Sequence, residues 1–248
     1  MRLLRAFALL ISGLFLLSVL AGGGVVYVLW RYGRDLPDYH QLANYEPPVM
    51  TRIHAGDGTL IAEYAHERRL FVPIEAIPRP VIRAFLAAED KTFYSHPGVD
   101  VMGILAAVVH NLRNMGTSRR PVGASTITQQ VAKNFLLSNE VSLTRKIKEA
   151  ILAFRIEHAF SKDRILELYL NEIYLGFGSY GVAAAALNYF NKSLDELTLD
   201  QVAFLAALPK APNNYHPIRH HDAALARRNW VLERLADDGA ITRAQAKV

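Results

Sequence analysis

The sequence predicts a mainly α-helical domain with one small β-hairpin, preceded by a single N-terminal helix that spans a membrane. Three observations carry this reading. Residues Ala6 to Trp30 form an uncharged run of 25. Strand-forming residues flank a turn signal in one place only, around Asp57-Gly58. From Pro80 onward, helix start signals recur in regular succession.

Bulk properties bound the answer. The chain has 248 residues, 51% of them hydrophobic, enough for one domain with a sizeable core. It contains no cysteine, which excludes thiol catalysis, disulfides and cysteine-based zinc sites and leaves the redox compartment open. A net charge of +5 suits an anionic partner without choosing one. Nucleic acid is not expected, because the basic residues are too few and lack interleaved aromatics.

The first element is the apolar run. At about 1.5 Å per residue it is long enough for roughly 30 Å of hydrocarbon with some tilt. Arg2 and Arg5 precede it, and Tyr27, Trp30 and Tyr32 cluster at its far end like an interfacial belt. The charge order places the N-terminus inside and the body outside, although Arg31 and Arg34 reduce the asymmetry. A cleaved signal peptide, with "VLA" before Gly22 as its cleavage site, and a buried helix of a soluble protein are the alternatives. The polar, proline-containing stretch "RDLPDYHQLANYEPP" then reads as a stalk. After it, "MTRIHAGDGTLIAEYAHERRLFVP" reads as a hairpin.

Beyond it, helices are expected over roughly 80–91, 100–113, 126–137, 143–160, 162–174, 179–190, 199–208 and 222–238. Pro80 suits a first turn, Thr126 with Gln129 and Thr198 with Gln201 form capping boxes, and Ser142 and Ser161 sit as N-caps. Gly239 closes the last helix, and Thr242 with Gln245 opens another box just before the chain stops. That reads as a sequence cut from a longer protein, or as a frayed tail. The expected organisation is a short tail and anchor (1–35), connector and hairpin (36–79), the main helical domain (80–240) and the start of a following segment (241–248).

Four constellations could carry chemistry. In "AEDKTFYSHPG", Glu89 falls on the apolar stripe of Val81, Ile82, Phe85 and Leu86. Either the helix frays there and the side chain meets solvent, or the carboxylate is desolvated and suited to proton transfer near neutrality. Asp90 raises the local cost of negative charge. Phe93, Tyr94 and His96 offer an aromatic, hydrogen-bonding wall, and His96 taken singly is a turn or core histidine.

In "GASTITQQVAKN", Thr126 caps a helix whose first-turn N–H groups favour an anion. Gln130, Lys133 and Asn134 share one polar face, which could hold a phosphate or simply be solvated. The approach "RNMGTSRRP" is a loop over that site or a plain surface loop. In "RKIKEA", Arg145 and Glu149 lie one turn apart, which as a surface pair contributes under about 1 kcal/mol. Yet the stripe continues into Leu152 and Ile156, so Glu149 also borders an apolar face. Cations with a carboxylate suit pyrophosphate, directly or through a divalent ion. In "KDRILELYLNEIYLGFGSYG", Glu167, Tyr169 and Asn171 read as structural. Lys210 lies just past a helix end near the expected cleft, and Pro217 disrupts metal-ligand spacing in "HPIRHH".

Taken together and in order, the constellations resemble the peptidoglycan glycosyltransferases, the transglycosylase module of class A bifunctional penicillin-binding proteins and their monofunctional relatives. The pattern E-D-x-x-F-x-x-H-x-G-x-D stands here as Glu89, Asp90, Phe93, His96, Gly98 and Asp100. G-x-S-T-I-T-Q-Q-x-x-K-N spans Gly123 to Asn134, R-K-x-x-E is Arg145, Lys146 and Glu149, and I-L-E-x-Y-L-N spans Ile165 to Asn171. The likeness extends to the anchor, "YEPP", "GDGTLIAEY" and "LPKAPNNY".

The resemblance implies a lysozyme-like helical domain that polymerises lipid II into β-1,4-linked glycan with release of undecaprenyl pyrophosphate. Glu89 would be the general base for an inverting attack by the GlcNAc 4-hydroxyl, and Glu149 the second catalytic carboxylate. Thr126, Gln130, Lys133, Asn134, Arg145 and Lys146 would bind substrate, with Asp90, Phe93 and His96 as support. A divalent cation, Mg2+ or Mn2+, would be the cofactor if there is one, with no organic cofactor. The apolar segment "VDVMGILAAVV" would lie near the bilayer. The implied place is the bacterial inner membrane, single-pass, with the catalytic domain outside, among other cell-wall synthesis proteins.

One departure stands out: many members carry an arginine eight residues after the motif lysine, where this chain has Val141. Arg119, Arg120 or Arg145 would then take the phosphate contact. The bifunctional branch would add a serine transpeptidase domain, whose S-x-x-K, S-x-N and K-T-G motifs are not in this sequence. Its removal, or a naturally monofunctional enzyme, are the two expectations. A glycan-cleaving lytic transglycosylase or muramidase and a non-enzymatic membrane-anchored scaffold are the rival functions.

Overall fold

The computed structural model describes residues 2–43, 45, 51–57, 59–64, 68–116, 123–138, 140 and 142–247. The expectations for Gly58 in the hairpin turn, "EPP" of the connector, Arg119 and Arg120, and Val141 lie outside these residues.

The first helix, α1 (Arg2–Gly33), contains a segment Leu9–Gly33 that is long and apolar enough to cross a membrane, and none of it packs inside the protein. The belt forms at its C-terminal end: Tyr27 and Trp30 lie 6.3 Å apart, and the Arg34 guanidinium sits 5.0 Å over the Trp30 ring. The strands β1 (Thr51–His54) and β2 (Leu60–Tyr64) pair antiparallel with an irregularity between Ile53 and His54, giving the expected hairpin.

The hairpin is not the only β-structure. Strand β3 (Arg68–Arg69) pairs in parallel with β4 (Ser179–Tyr180), taking residues 179–181 out of the helix expected there. A two-residue strand has no periodicity to read, and "RR" looks like solvated surface. Yet Arg69 is buried, paired with Glu172 and stacked 4.5 Å over Tyr180.

The remaining helices match the start signals closely. They are α2 (Arg79–Glu89), α3 (Val101–Arg113), α4 (Ile127–Leu136), α5 (Leu143–Ala159), α6 (Lys162–Glu172), α7 (Val182–Phe190), α8 (Leu199–Ala207) and α9 (His221–Asp237). The Ser142 and Ser161 hydroxyls accept the N–H groups of Arg145 and Arg164, as capping requires. The Thr242–Gln245 box also closes, onto a single 3-10 turn.

Helix α6 is the centre of the core, with Ile165, Leu166, Leu168, Tyr169 and Leu170 each at most 1% exposed. Burial runs all round α6, as suits a helix packed on several sides. Its polar residues are satisfied internally. Asn171 accepts from the Val72 N–H and donates to the Val72 carbonyl, and Glu167 accepts from the Ile74 N–H at 2.9 Å. Both side chains thus act structurally, holding 72–74 against α6. Gly181 makes this fit possible: its φ is +81°, and a Cβ there would lie 2.6 Å from the Asn171 carbonyl oxygen.

By contrast, α3 has no buried residue, and Val101, Met102, Leu105 and Leu112 are more than half exposed. At the base of the domain, the Arg155 guanidinium donates to the Gly33 carbonyl at 3.1 Å, tying the end of α1 to α5.

Candidate functional site

Glu89 closes α2, and its side chain is only 12% exposed. Of the two sequence readings, the desolvated one holds. Its Oε2 accepts from the Gln130 amide at 2.9 Å, and Arg227 Nη2 lies 4.0 Å from Oε1. Burial pushes its pKa above the ordinary glutamate range, against the opposing pull of Gln130, Arg227 and Lys210, with Asp90 adding a smaller upward push. Tyr169 lies in the same interior. Its hydroxyl is buried and, among the described residues, unpartnered; burial, then Glu89 and Asp90, hold it strongly protonated.

Glu89 lines an open cleft of about 830 Å³, within the size range of ligand-binding pockets. The same cleft is lined by Gln130, Lys133, Lys146, Glu149, Lys210 and Arg227. Lys133 is desolvated, which lowers its proton affinity; Glu149 works against that shift. Glu149 is 1% exposed, so its ion pairs are not the surface pair that spacing alone allowed. Arg145 holds its Oε1, and Lys146 Nζ holds its Oε2 at 2.5 Å. Lys146 also reaches Ser125 Oγ at 3.1 Å, which joins the start of α5 to the loop before α4.

Three expectations change. The start of α4 is not left free for an anion, because its N–H groups already have partners. Asp90 Oδ2 accepts the Ile127 N–H at 2.9 Å and Thr126 Oγ1 accepts that of Gln129. The helix end thus stabilises an internal carboxylate. Thr126, expected to bind substrate, is buried, and its hydroxyl donates to the Gly98 carbonyl at 2.6 Å. Asn134, expected on the same face, is exposed and lies one turn beyond Gln130 along α4, outside the residues that line the cleft. Arg145 does not line it either, because its guanidinium is turned onto Glu149 and the Glu140 carbonyl.

The aromatic wall is the third change. Phe93 is fully buried in the core, and Tyr94 is 55% exposed and donates to Asp163 at 3.0 Å. His96 is buried with both Asp90 oxygens 3.0 Å from its Nε2. Because the Gly98 N–H donates to His96 Nδ1, the ring proton must sit on Nε2 and point at Asp90. These residues brace the site from behind. Asp100 likewise caps α3 through the Gly103 N–H.

Among the described residues no three His, Asp or Glu side chains are grouped to hold a metal, and both Glu149 oxygens already receive cations. Sequence reasoning missed Arg227, Trp230 and Ser125. Ser125 stood inside a noted motif, whereas "RRNW" gave no sign of which of its arginines would turn inward.

Comparison with known proteins places this arrangement. The sequence model of the family described as Transglycosylase matches residues 57–236. Penicillin-binding protein 1A of Rickettsia conorii is 57% identical over 235 residues, covering 94% of this chain and 30% of that protein. Penicillin-binding protein 1A of Escherichia coli K12 is 49% identical, covering 92% of this chain and 26% of that one. The chain thus spans about a third or less of the curated relatives it matches. A crystal structure of penicillin-binding protein 1A from Haemophilus influenzae aligns with TM-score 0.47 and 32% identity over 82% of this chain and 20% of that one.

Proposed function

The chain belongs to the transglycosylase family, and on that premise we propose that it polymerises lipid II into β-1,4-linked glycan, with Glu89 as the general base. The observation that supports this most is a desolvated carboxylate sharing one cleft with several cations.

In this reading the 4-hydroxyl of the acceptor GlcNAc gives its proton to Glu89 as its oxygen attacks the anomeric carbon of the lipid-linked MurNAc. The bond to pyrophosphate breaks on the opposite face, so configuration inverts and undecaprenyl pyrophosphate departs. Lys133, Lys146 and Lys210 offset the charge that develops on the leaving group. Glu149 holds Lys146 in place, and Gln130 orients the base. No step is routed through a metal ion. The exposed apolar face of α3 would meet the bilayer that carries the polyprenyl chains, with α1 as the anchor and the domain on the outer side. A glycan-cleaving enzyme has no pyrophosphate and would leave these lysines without a role.

The test is Glu89→Gln in the full chain. It is expected to abolish polymerisation from lipid II while lipid II binding persists, and normal polymerisation by this variant would overturn the reading.

A further inference from the structure

We propose that Arg227, stacked on Trp230, is a positioning residue that holds the Glu89 carboxylate ionised and leaves its Oε1 as the oxygen that accepts the sugar proton. This rests on the reading of Glu89 as the base. Arg227 lies on α9, outside every motif noted above, and its side chain is only 10% exposed. Its Nη2 is 4.0 Å from Glu89 Oε1, close enough for strong charge attraction and too far for a hydrogen bond.

The contrast with neighbouring arginines is informative. Arg234 and Arg243 close onto Asp237 at 2.7 and 2.6 Å, as ordinary ion pairs do. Arg227 does not close. Its Nε is buried and, among the described residues, donates to nothing. The guanidinium is held instead by stacking, with Cζ 3.8 Å from the Trp230 ring centre and the Arg234 guanidinium 5.7 Å from the same ring. The Arg227 guanidinium therefore rests against Trp230 of its own helix, with no hydrogen bond to Glu89.

That separation suits a base. A direct hydrogen bond to Oε1 would compete with the substrate hydroxyl, and loss of the charge would raise the proton affinity of the desolvated carboxyl further. Gln130 takes Oε2, and among the described residues no donor bonds Oε1. The other charged or titratable groups acting around Glu89 are Asp90 beside it, Lys133 from α4, Tyr169 from α6 and Lys210 after α8. Of the positive groups acting on Glu89, Arg227 pulls harder than Lys210.

The experiment is the pH profile of kcat/KM for polymerisation of lipid II by the full chain in phospholipid vesicles, with thermal melting to verify folding. Arg227→Gln is expected to move the acidic limb up by about 1 pH unit or more, with activity recovering above the new limb. Arg227→Lys, which keeps the charge, is expected to restore the limb at least halfway. An unmoved limb in folded Arg227→Gln, with the rate lowered equally at every pH, would overturn the proposal. If Arg227→Gln does not fold, Trp230→Leu stands in: it is expected to shift the limb in the same direction, and an unmoved limb there overturns the proposal too. Glu89→Gln separates the two readings, since polymerisation by it defeats the general-base assignment whatever Arg227 does. An inactive Glu89→Gln beside an unmoved Arg227 limb defeats only this inference.

Discussion

Asp90 accepts the backbone N–H of Ile127 at 2.9 Å while His96 Nε2 donates to the same carboxylate. One buried side chain therefore fixes the end of α2 against the start of α4, and so sets Glu89 beside Gln130. Removing it in Asp90→Ala would strand two buried donors, at a cost on the order of 3 kcal/mol. Asp90→Asn keeps one acceptor and should lose about half as much. Thermal or urea denaturation checks this; an unchanged midpoint for Asp90→Ala would refute the bracing role.

Gly98 sits in the same turn with φ +92°, and a Cβ there would meet the Ala153 carbonyl oxygen at 2.7 Å. Gly98→Ala combines left-handed strain with a backbone clash, so a loss of about 2 kcal/mol or more is expected. A denaturation midpoint within error of the parent would contradict it.

The two cations on Glu149 should behave differently. Arg145 is 14% exposed and Lys146 47% exposed, so Arg145→Met breaks a buried pair at a cost of about 3 kcal/mol, and Lys146→Met costs under about 1 kcal/mol. Polymerisation should rank them the other way, with Lys146→Met losing more kcat per unit of stability lost, because only Lys146 lines the cleft. Equal stability losses would count against this division.

Glu89 also carries a stability signature. Its folded proton affinity is raised by burial, so the folded state binds the proton more tightly than the unfolded chain. Stability from this group is present below the ordinary glutamate range and is lost as pH rises through the folded value. Glu89→Gln should accordingly melt higher than the parent at pH 8, and the gain should vanish near pH 4. Calorimetry at the two values decides, and a variant less stable at pH 8 than at pH 4 relative to the parent would contradict the desolvation.

On α3, Leu105 and Leu112 are 57% and 61% exposed. Replacing both with Glu should change fold stability by no more than about 0.5 kcal/mol per site. Vesicle association of the chain and turnover of lipid II in vesicles should both fall. Undiminished turnover would separate α3 from the membrane.

The sequence by itself determined the apolar N-terminal helix, the hairpin and the helices to within about two or three residues at most ends, and it singled out Glu89, Lys133, Lys146 and Glu149, which line one cleft. Those features are local: capping side chains, a 3.6-residue stripe and an unbroken apolar run act within a few turns of chain. The tertiary structure decided the rest, because burial and partner choice depend on elements distant in sequence. Packing α2 against α8 and α9, with its end meeting the start of α4, turned an open choice at Glu89 into a desolvated carboxylate. Tertiary contacts gave the Ile127 N–H to Asp90, turned the Thr126 hydroxyl onto the Gly98 carbonyl, and left Asn134 outside the cleft. Arg227 reached Glu89 across 138 positions of sequence only because α9 folds back over α2 and α8, a contact that no spacing within either segment encodes.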